Sequence, residues 1–226
     1  MNAYTYYMPV AGLWPADTQL ALIEVWKRSW KKQGWNPIVM DETWAMRHPR
    51  YAEFKRKFWE LPTEYGHEYE GACFMRYAAM ATIPEGGLLL DYDVINYSFA
   101  PTPADPKEMR LYCDLSDKQA IHAGTMLAPA SLYEGLCQLF MEWVPGPMDW
   151  NPNMKPHPAH HCSDLSYFMQ MVHGTRPRPA WFTVVPGCAV YPESSWRTSP
   201  MVHYGFHMHA DGYWPKYAHI EKIRPF

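Results

Sequence analysis

The chain has 226 residues, 48% of them hydrophobic, and a formal net charge of −3. That length suits one domain with a sizeable core, and the apolar content excludes a disordered chain. Mild acidity offers no basic face for a dedicated nucleic-acid binder, and no polybasic or amphipathic run marks a membrane anchor. Apolar stretches such as Trp181 to Val190, broken by Pro186, are too short to span a bilayer. The N-terminus lacks a basic region followed by an apolar one, so no signal peptide is expected. The five cysteines, Cys73, Cys113, Cys137, Cys162 and Cys188, are odd in number and contain no C-x-x-C pair. Neither a disulfide framework nor a structural zinc site is therefore expected, and a reducing, cytoplasmic compartment fits (the host cytoplasm for a viral protein). Aromatic residues make up 16% of the chain. Such rings suit sugar-stacking clefts, but core and sheet positions account for the larger share.

In chain order, Tyr4 to Val10 predicts a first strand leading into a loop at Ala11-Gly12. A helix follows from Asp17 or Thr18 to Gln33, with Leu22, Val25, Trp26 and Trp30 at helical spacing and Gly34 as its stop. Asn36 to Met40 forms a second strand ending at Asp41. This strand–helix–strand order predicts a βαβ opening with parallel strands. Residues 42–70 read as helical pieces separated by Pro49 and Pro62, and Ala72 to Ile83 as an Ala- and Met-rich helix stopped by Pro84. Gly86-Gly87 is a turn and Leu88 to Leu90 a short, fully apolar strand. Beyond the Pro101 to Pro106 loop, strands are predicted at 111–114, 122–128, 182–185 and 189–191. Helices are predicted over Ser131 to Val144 and Asp164 to His173, separated by a Pro-rich loop. Neither G-x-G-x-x-G nor G-x-x-x-x-G-K-[ST] occurs, which removes the dinucleotide and P-loop routes.

The richest stretch is Glu85 to Asn96, where the apolar strand runs into Asp91-Tyr92-Asp93. In extended backbone, residues two apart face the same side, so both carboxylates can address one hard cation carrying a diphosphate. Asp-x-Asp also arises by chance in turns after strands, so the surrounding order of elements matters. The loop after Val10, Asp41, and the Asp91/Asp93 pair all lie at predicted strand ends, where ligands bind in open α/β sheets.

Arg76-Tyr77-Ala78-Ala79-Met80, followed by Glu85-Gly86-Gly87-Leu88-Leu89-Leu90-Asp91-Tyr92-Asp93, resembles nucleotide-sugar glycosyltransferases of the GT-A fold. The closest likeness is to the alpha-1,6-mannosyltransferase-like and capsular-polysaccharide transferases, whose pattern runs Arg-Tyr-x-x-Leu and then Tyr-Gly-Gly-x-Tyr-x-Asp-x-Asp. The resemblance implies one GT-A-like α/β domain over 1–226, with a mostly parallel sheet flanked by helices. Residues 1–100 would form the Rossmann-like donor half and 101–226 the acceptor half. It also implies Mn²⁺ or Mg²⁺ bound by Asp93, with Asp91 contacting donor or metal. Arg76 would bind the donor, unless it merely pairs with Glu70 or Asp91. Many relatives carry Asp three residues before that arginine, where this chain has Cys73, so the resemblance leaves the donor sugar open and implies a different grip on it. A C-terminal histidine often completes such a metal site. His203 is the first choice and His207 the second.

Asp164 is either a helix cap or the carboxylate that positions or deprotonates the acceptor hydroxyl, and Asp114 competes for that role. Val10 and Asp41 are candidate donor contacts. The His157, His160, His161 and Cys162 cluster matches no zinc-finger spacing and is expected in a loop near the acceptor entrance. The expected function is transfer of a sugar from a UDP- or GDP-sugar to a hydroxyl. The acceptor would be a glycan, ahead of a hydroxymethylated DNA base. The alternatives are a divalent-metal hydrolase and a non-catalytic sugar-nucleotide-binding protein.

Overall fold

The computed structural model describes residues 1–10, 16–63, 66–113, 124–144, 162–172, 174, 176–189 and 198–204. A six-stranded sheet runs in the order β2-β1-β3-β6-β5-β7. Its strands are β1 (Asn2–Tyr6), β2 (Asn36–Met40), β3 (Gly87–Leu90), β5 (Met109–Cys113), β6 (Thr125–Ala128) and β7 (Phe182–Pro186). Strand β1 pairs in parallel with β2 and β3, and β5 does so with β7. Only β6 is reversed, antiparallel to both β3 and β5. The protein is thus α/β with a mostly parallel central sheet.

Side chains alternate across this sheet and separate two cores. Tyr4, Leu89, Met126 and Ala128 face one side. They meet Phe54 and Phe58 of α3 (Tyr51–Glu60), Phe74 of α4 (His67–Ala81), Phe140 of α5 (Ala130–Glu142) and Phe168 of α6 (Asp164–Val172). Ala3, Leu88, Leu90 and Leu127 face the other side. There they meet Leu22, Val25, Trp26 and Trp30 of α1 (Ala16–Lys32) and a second sheet of three strands, β4 (Val94–Asn96), β9 (Met201–His203) and β8 (Cys188–Ala189), in the order β4-β9-β8. Burial on both faces is what a parallel sheet requires, and it explains why β3 is leucine throughout after its glycine. Each of those leucines is at most 1% exposed, and such burial contributes about 1.5–3 kcal/mol per side chain. The aromatic excess belongs mainly to these cores: Trp26, Trp30, Trp143, Tyr77 and Tyr133 are among the largest fully buried side chains.

Two glycines deliver β3 to its place. Gly86 has φ 64°, and a Cβ there would stand 2.2 Å from the Ala128 carbonyl oxygen. Gly87 has φ 146°, and its Cβ would meet the Tyr4 ring at 2.7 Å. A side chain at Gly86 would strike the backbone at the end of β6, and one at Gly87 would push on the Tyr4 ring of β1.

Strand β2 and helix α1 match the sequence reading closely. Helix α4 starts five residues before the expected Ala72, and β1 ends at Tyr6, so Val10 lies in the segment beyond it. The short strands β4 (Val94–Asn96) and β9 (Met201–His203) have no counterpart in the sequence reading. Among the described residues, no helix is long and apolar enough to cross a membrane.

Candidate functional site

Strand β3 stops at Leu90, and the chain turns immediately: the Val94 N–H donates to the Asp91 carbonyl at 3.0 Å. The Asp-x-Asp segment is therefore a β-turn, which corrects the extended geometry inferred from the sequence. The carboxylates converge because the chain bends around them. Asp91 is further tied by its N–H to the Gly124 carbonyl beside β6, at 3.0 Å.

The turn feeds β4, which pairs antiparallel with β9 so that Val94 faces His203. The Tyr204 N–H donates to the Asp93 carbonyl at 3.1 Å, closing the same corner from the C-terminal side. Helix α1 braces it, with the Trp30 indole N–H donating to the Val94 carbonyl at 2.9 Å. Tyr97 and Tyr204 share a hydroxyl hydrogen bond of 2.7 Å on the next residues of each strand.

The outcome is a three-ligand group. His203 Nε2 lies 2.9 Å from Asp93 Oδ1 and 3.8 Å from Asp91 Oδ2. One ligand atom from each of the three residues falls within 4.8 Å of the others. Oxygens and nitrogens bound at about 2.1 Å to a small divalent ion stand roughly 3–4 Å apart, so small side-chain shifts bring the group to coordination distance. Two carboxylates and one imidazole form a hard-to-borderline donor set, suited to Mg²⁺ or Mn²⁺. The residues fit a divalent cation.

Behind the turn lies a buried clasp. Arg76, on α4, donates to Asp91 Oδ1 through one terminal nitrogen and to Asp164 Oδ2 through the other. Asp91 thus divides its oxygens, Oδ1 toward Arg76 and Oδ2 toward His203. The Tyr77 hydroxyl also donates to Asp164 Oδ2 at 2.8 Å, and Asp164 Oδ1 accepts the Leu165 N–H at 2.7 Å. Burial works against the Arg76 charge, but Asp164 and Asp91 outweigh it and hold the guanidinium well above its ordinary value. Burial likewise pushes the Tyr77 phenol well up, so it remains a proton donor. The Tyr92 hydroxyl, between the two aspartates in sequence, is raised by burial and then by Asp93 and Asp91. It lies 3.2 Å from the Gln19 side-chain oxygen.

Asp164 opens α6, yet the cap is Ser163. Its Oγ accepts the Ser166 N–H at 3.1 Å, and Ser166 Oγ accepts the Ser163 N–H at 3.0 Å. That reciprocal pair leaves the Asp164 carboxylate available to Arg76. Among the described residues of this group, three carboxylates face one guanidinium, an excess of negative charge that suits a divalent cation.

Asp91, Asp93, His203, Arg76 and Asp164 are thus brought together. Asp41 is an exposed cap of α2 (Glu42–Ala45), accepting from the Thr43 N–H at 3.0 Å. Val10 is half-buried past the end of β1. Asp114, His207, His157, His160 and His161 lie outside the described residues, while Cys162 is buried with its N–H donating to the Pro62 carbonyl at 2.7 Å. The sequence reading missed Tyr77 as the second donor to Asp164. It also gave Glu70 no role beyond a pairing option for Arg76. The spacing of Glu70, Cys73, Arg76 and Tyr77 along one helix was the available signal. Comparison with protein-family models, with curated proteins and with solved structures finds no match.

Proposed function

We propose that this protein is a metal-dependent glycosyltransferase of GT-A-like architecture, moving a sugar from a UDP- or GDP-sugar to a hydroxyl of a glycan or similar acceptor. The observation that carries this reading is the convergence of Asp91, Asp93 and His203 at the carboxyl end of β3, in the parallel half of the sheet. That is where ligands of open α/β sheets bind. A Mn²⁺ or Mg²⁺ ion held by these three residues supplies charge neutralisation for a departing nucleoside diphosphate.

The chain's own residues then have separable tasks. Asp93, in the turn just before β4, and His203, at the end of its antiparallel partner β9, would hold the cation together, so the C-terminal strand completes what the turn begins. Arg76 fixes the orientation of Asp91 by holding one of its oxygens. Asp164 holds Arg76 from behind, buried and engaged on both oxygens. The α/β fold, the Asp-Asp-His donor set and the negative balance of the group support this reading. Among the described residues a single group of this kind is found.

The test is a panel of UDP- and GDP-sugars with Mn²⁺, followed by thermal shift and nucleotide release. Stabilisation by one nucleotide sugar that requires the ion, together with nucleotide release, is the expected result. Phosphate-ester cleavage without nucleotide preference would replace the reading with the hydrolase. Ion-dependent binding without turnover, even with added acceptors, would replace it with a sugar-nucleotide-binding protein.

A further inference from the structure

A cleft of about 470 Å³ lies at the far end of the sheet from the ion group, between the outer face of α1 and the start of β2. Glu24, Lys27, Arg28, Lys31, Trp35 and Asn36 are among its lining residues. Asn36 is level with Asn2, and Leu89 with Tyr4, across the parallel pairs. The cleft and Asp91 therefore stand about four residues apart along the strands, roughly 13 Å. A ligand in one does not touch the other, so the cleft stands apart from the sugar-transfer reading.

Glu24, Lys27, Arg28 and Lys31 follow at three- and four-residue intervals and share one face of α1, while Leu22, Trp26 and Trp30 are buried against the sheet. The opposite wall is fixed. The Trp35 indole N–H donates to the Phe99 carbonyl at 2.8 Å, and its ring stacks on Phe99 with centroids 5.8 Å apart. Asn36 Nδ2 donates to Asn2 Oδ1 at 2.9 Å. Cations near the end of a helix often do no more than answer its dipole. Here the N–H groups of Gln33, Gly34 and Trp35 already donate to the Trp30 and Lys31 carbonyls at 3.1–3.2 Å. Lys27 and Arg28 also stand before the last turn.

Three cations line the cleft with one carboxylate, Glu24, which is bonded to Lys27 at 2.6 Å. The cleft thus carries an excess of positive charge on a chain whose formal net charge is −3. A phosphate monoester has a charge of about −1.5 to −2 at neutral pH and three strong acceptor oxygens, which answers that excess. The volume also falls in the range of small-molecule sites, roughly 300–1,000 Å³, and leaves room for more than a phosphate. We propose that this cleft binds a phosphorylated small molecule, its phosphate against the Lys27, Arg28 and Lys31 wall and its organic part toward Trp35 and Asn36.

The experiment uses the full chain with EDTA present, so that the ion group takes no part. Calorimetric titrations compare glucose 6-phosphate, ribose 5-phosphate and glycerol 3-phosphate with inorganic phosphate and with glucose. Saturable binding of at least one ester, and none of glucose, is expected. The double variant Lys27→Gln, Lys31→Gln should weaken ester binding about tenfold or more, as loss of charged hydrogen bonds does, with an unchanged circular dichroism spectrum. Lys32→Gln, in the same last turn but outside the cleft lining, should bind as wild type. Equal weakening by Lys32→Gln would overturn the proposal, because the effect would then belong to the charge of the helix as a whole. Absence of saturable ester binding by the wild type would overturn it as well. Inorganic phosphate binding as tightly as the best ester would overturn the assignment of an organic ligand.

Discussion

The two sides of the site use the same residue types to opposite ends. On the inner side, Asp164 and Arg76 meet deep in the fold, 5% and 8% exposed at the side chain, with Tyr77 and a backbone N–H completing the carboxylate's bonds. On the outer side, Asp91 is 31% exposed at the side chain, and Asp93 and His203 lean toward a common point with it. The inner pair is an anchor whose charges are answered within the fold. The outer group gathers negative charge and an imidazole where an ion from solvent can answer it. Asp91 belongs to both and links them. An acidic residue is therefore not a metal ligand by type; Asp164 is packed against a guanidinium and a phenol, whereas Asp91 and Asp93 converge on an imidazole.

That contrast makes separable predictions. The largest effect is expected from Asp93→Ala, which should abolish Mn²⁺-dependent stabilisation and nucleotide release while far-ultraviolet circular dichroism stays unchanged. Its loss of ion affinity should exceed the roughly 10–100-fold typical of groups that only support a metal ligand. Arg76→Met should act mainly on stability. It leaves Asp164 buried without its cation, a change that costs about 3–5 kcal/mol in comparable buried pairs, measured by urea denaturation. If that variant were to lose ion binding at unchanged stability, the division between anchor and ion site would fail.

A third prediction concerns pH. Glu70 is raised from 4.5 to about 8 in the folded protein. Between those values the folded state keeps a proton that the unfolded chain has lost, so this group makes stability fall as pH rises through the window. Below the window and above it the contribution is flat. Glu70→Gln should match wild type near the acid end and become the more stable protein above the upper end, in melts followed across pH. An identical pH dependence in both proteins would show that Glu70 ionises normally. The smallest effect is expected from Ser163→Ala, which removes the α6 cap and should cost about 1 kcal/mol without altering ion binding.

The sequence made the frame of the molecule legible and left its decisive corner obscure. Strand β2 ends where Asn36 to Met40 suggested, because Gly34 stops the preceding helix and Asp41 caps the next. Leu88 to Leu90 announced a strand buried on both faces. Strands β4 and β9, three residues each, are too short to show an alternation, yet their pairing delivers His203 to Asp93. The Asp91 turn was hidden for a related reason. A strand and a turn can both follow an apolar run, and only the Val94 N–H bonded back to Asp91 distinguishes them. The Arg76–Asp164 contact spans 88 positions and leaves no local pattern. His203 was picked out through a family likeness; no spacing in the chain would have placed it.

The central claim is that Asp91, Asp93 and His203 bind one divalent ion. Anomalous diffraction from crystals soaked in Mn²⁺ tests it most directly. The account predicts a peak about 2 Å from an oxygen of Asp93 and from His203 Nε2, with Asp91 adjoining it and still bonded to Arg76. A manganese peak elsewhere, or none at this corner under saturating metal, would contradict it.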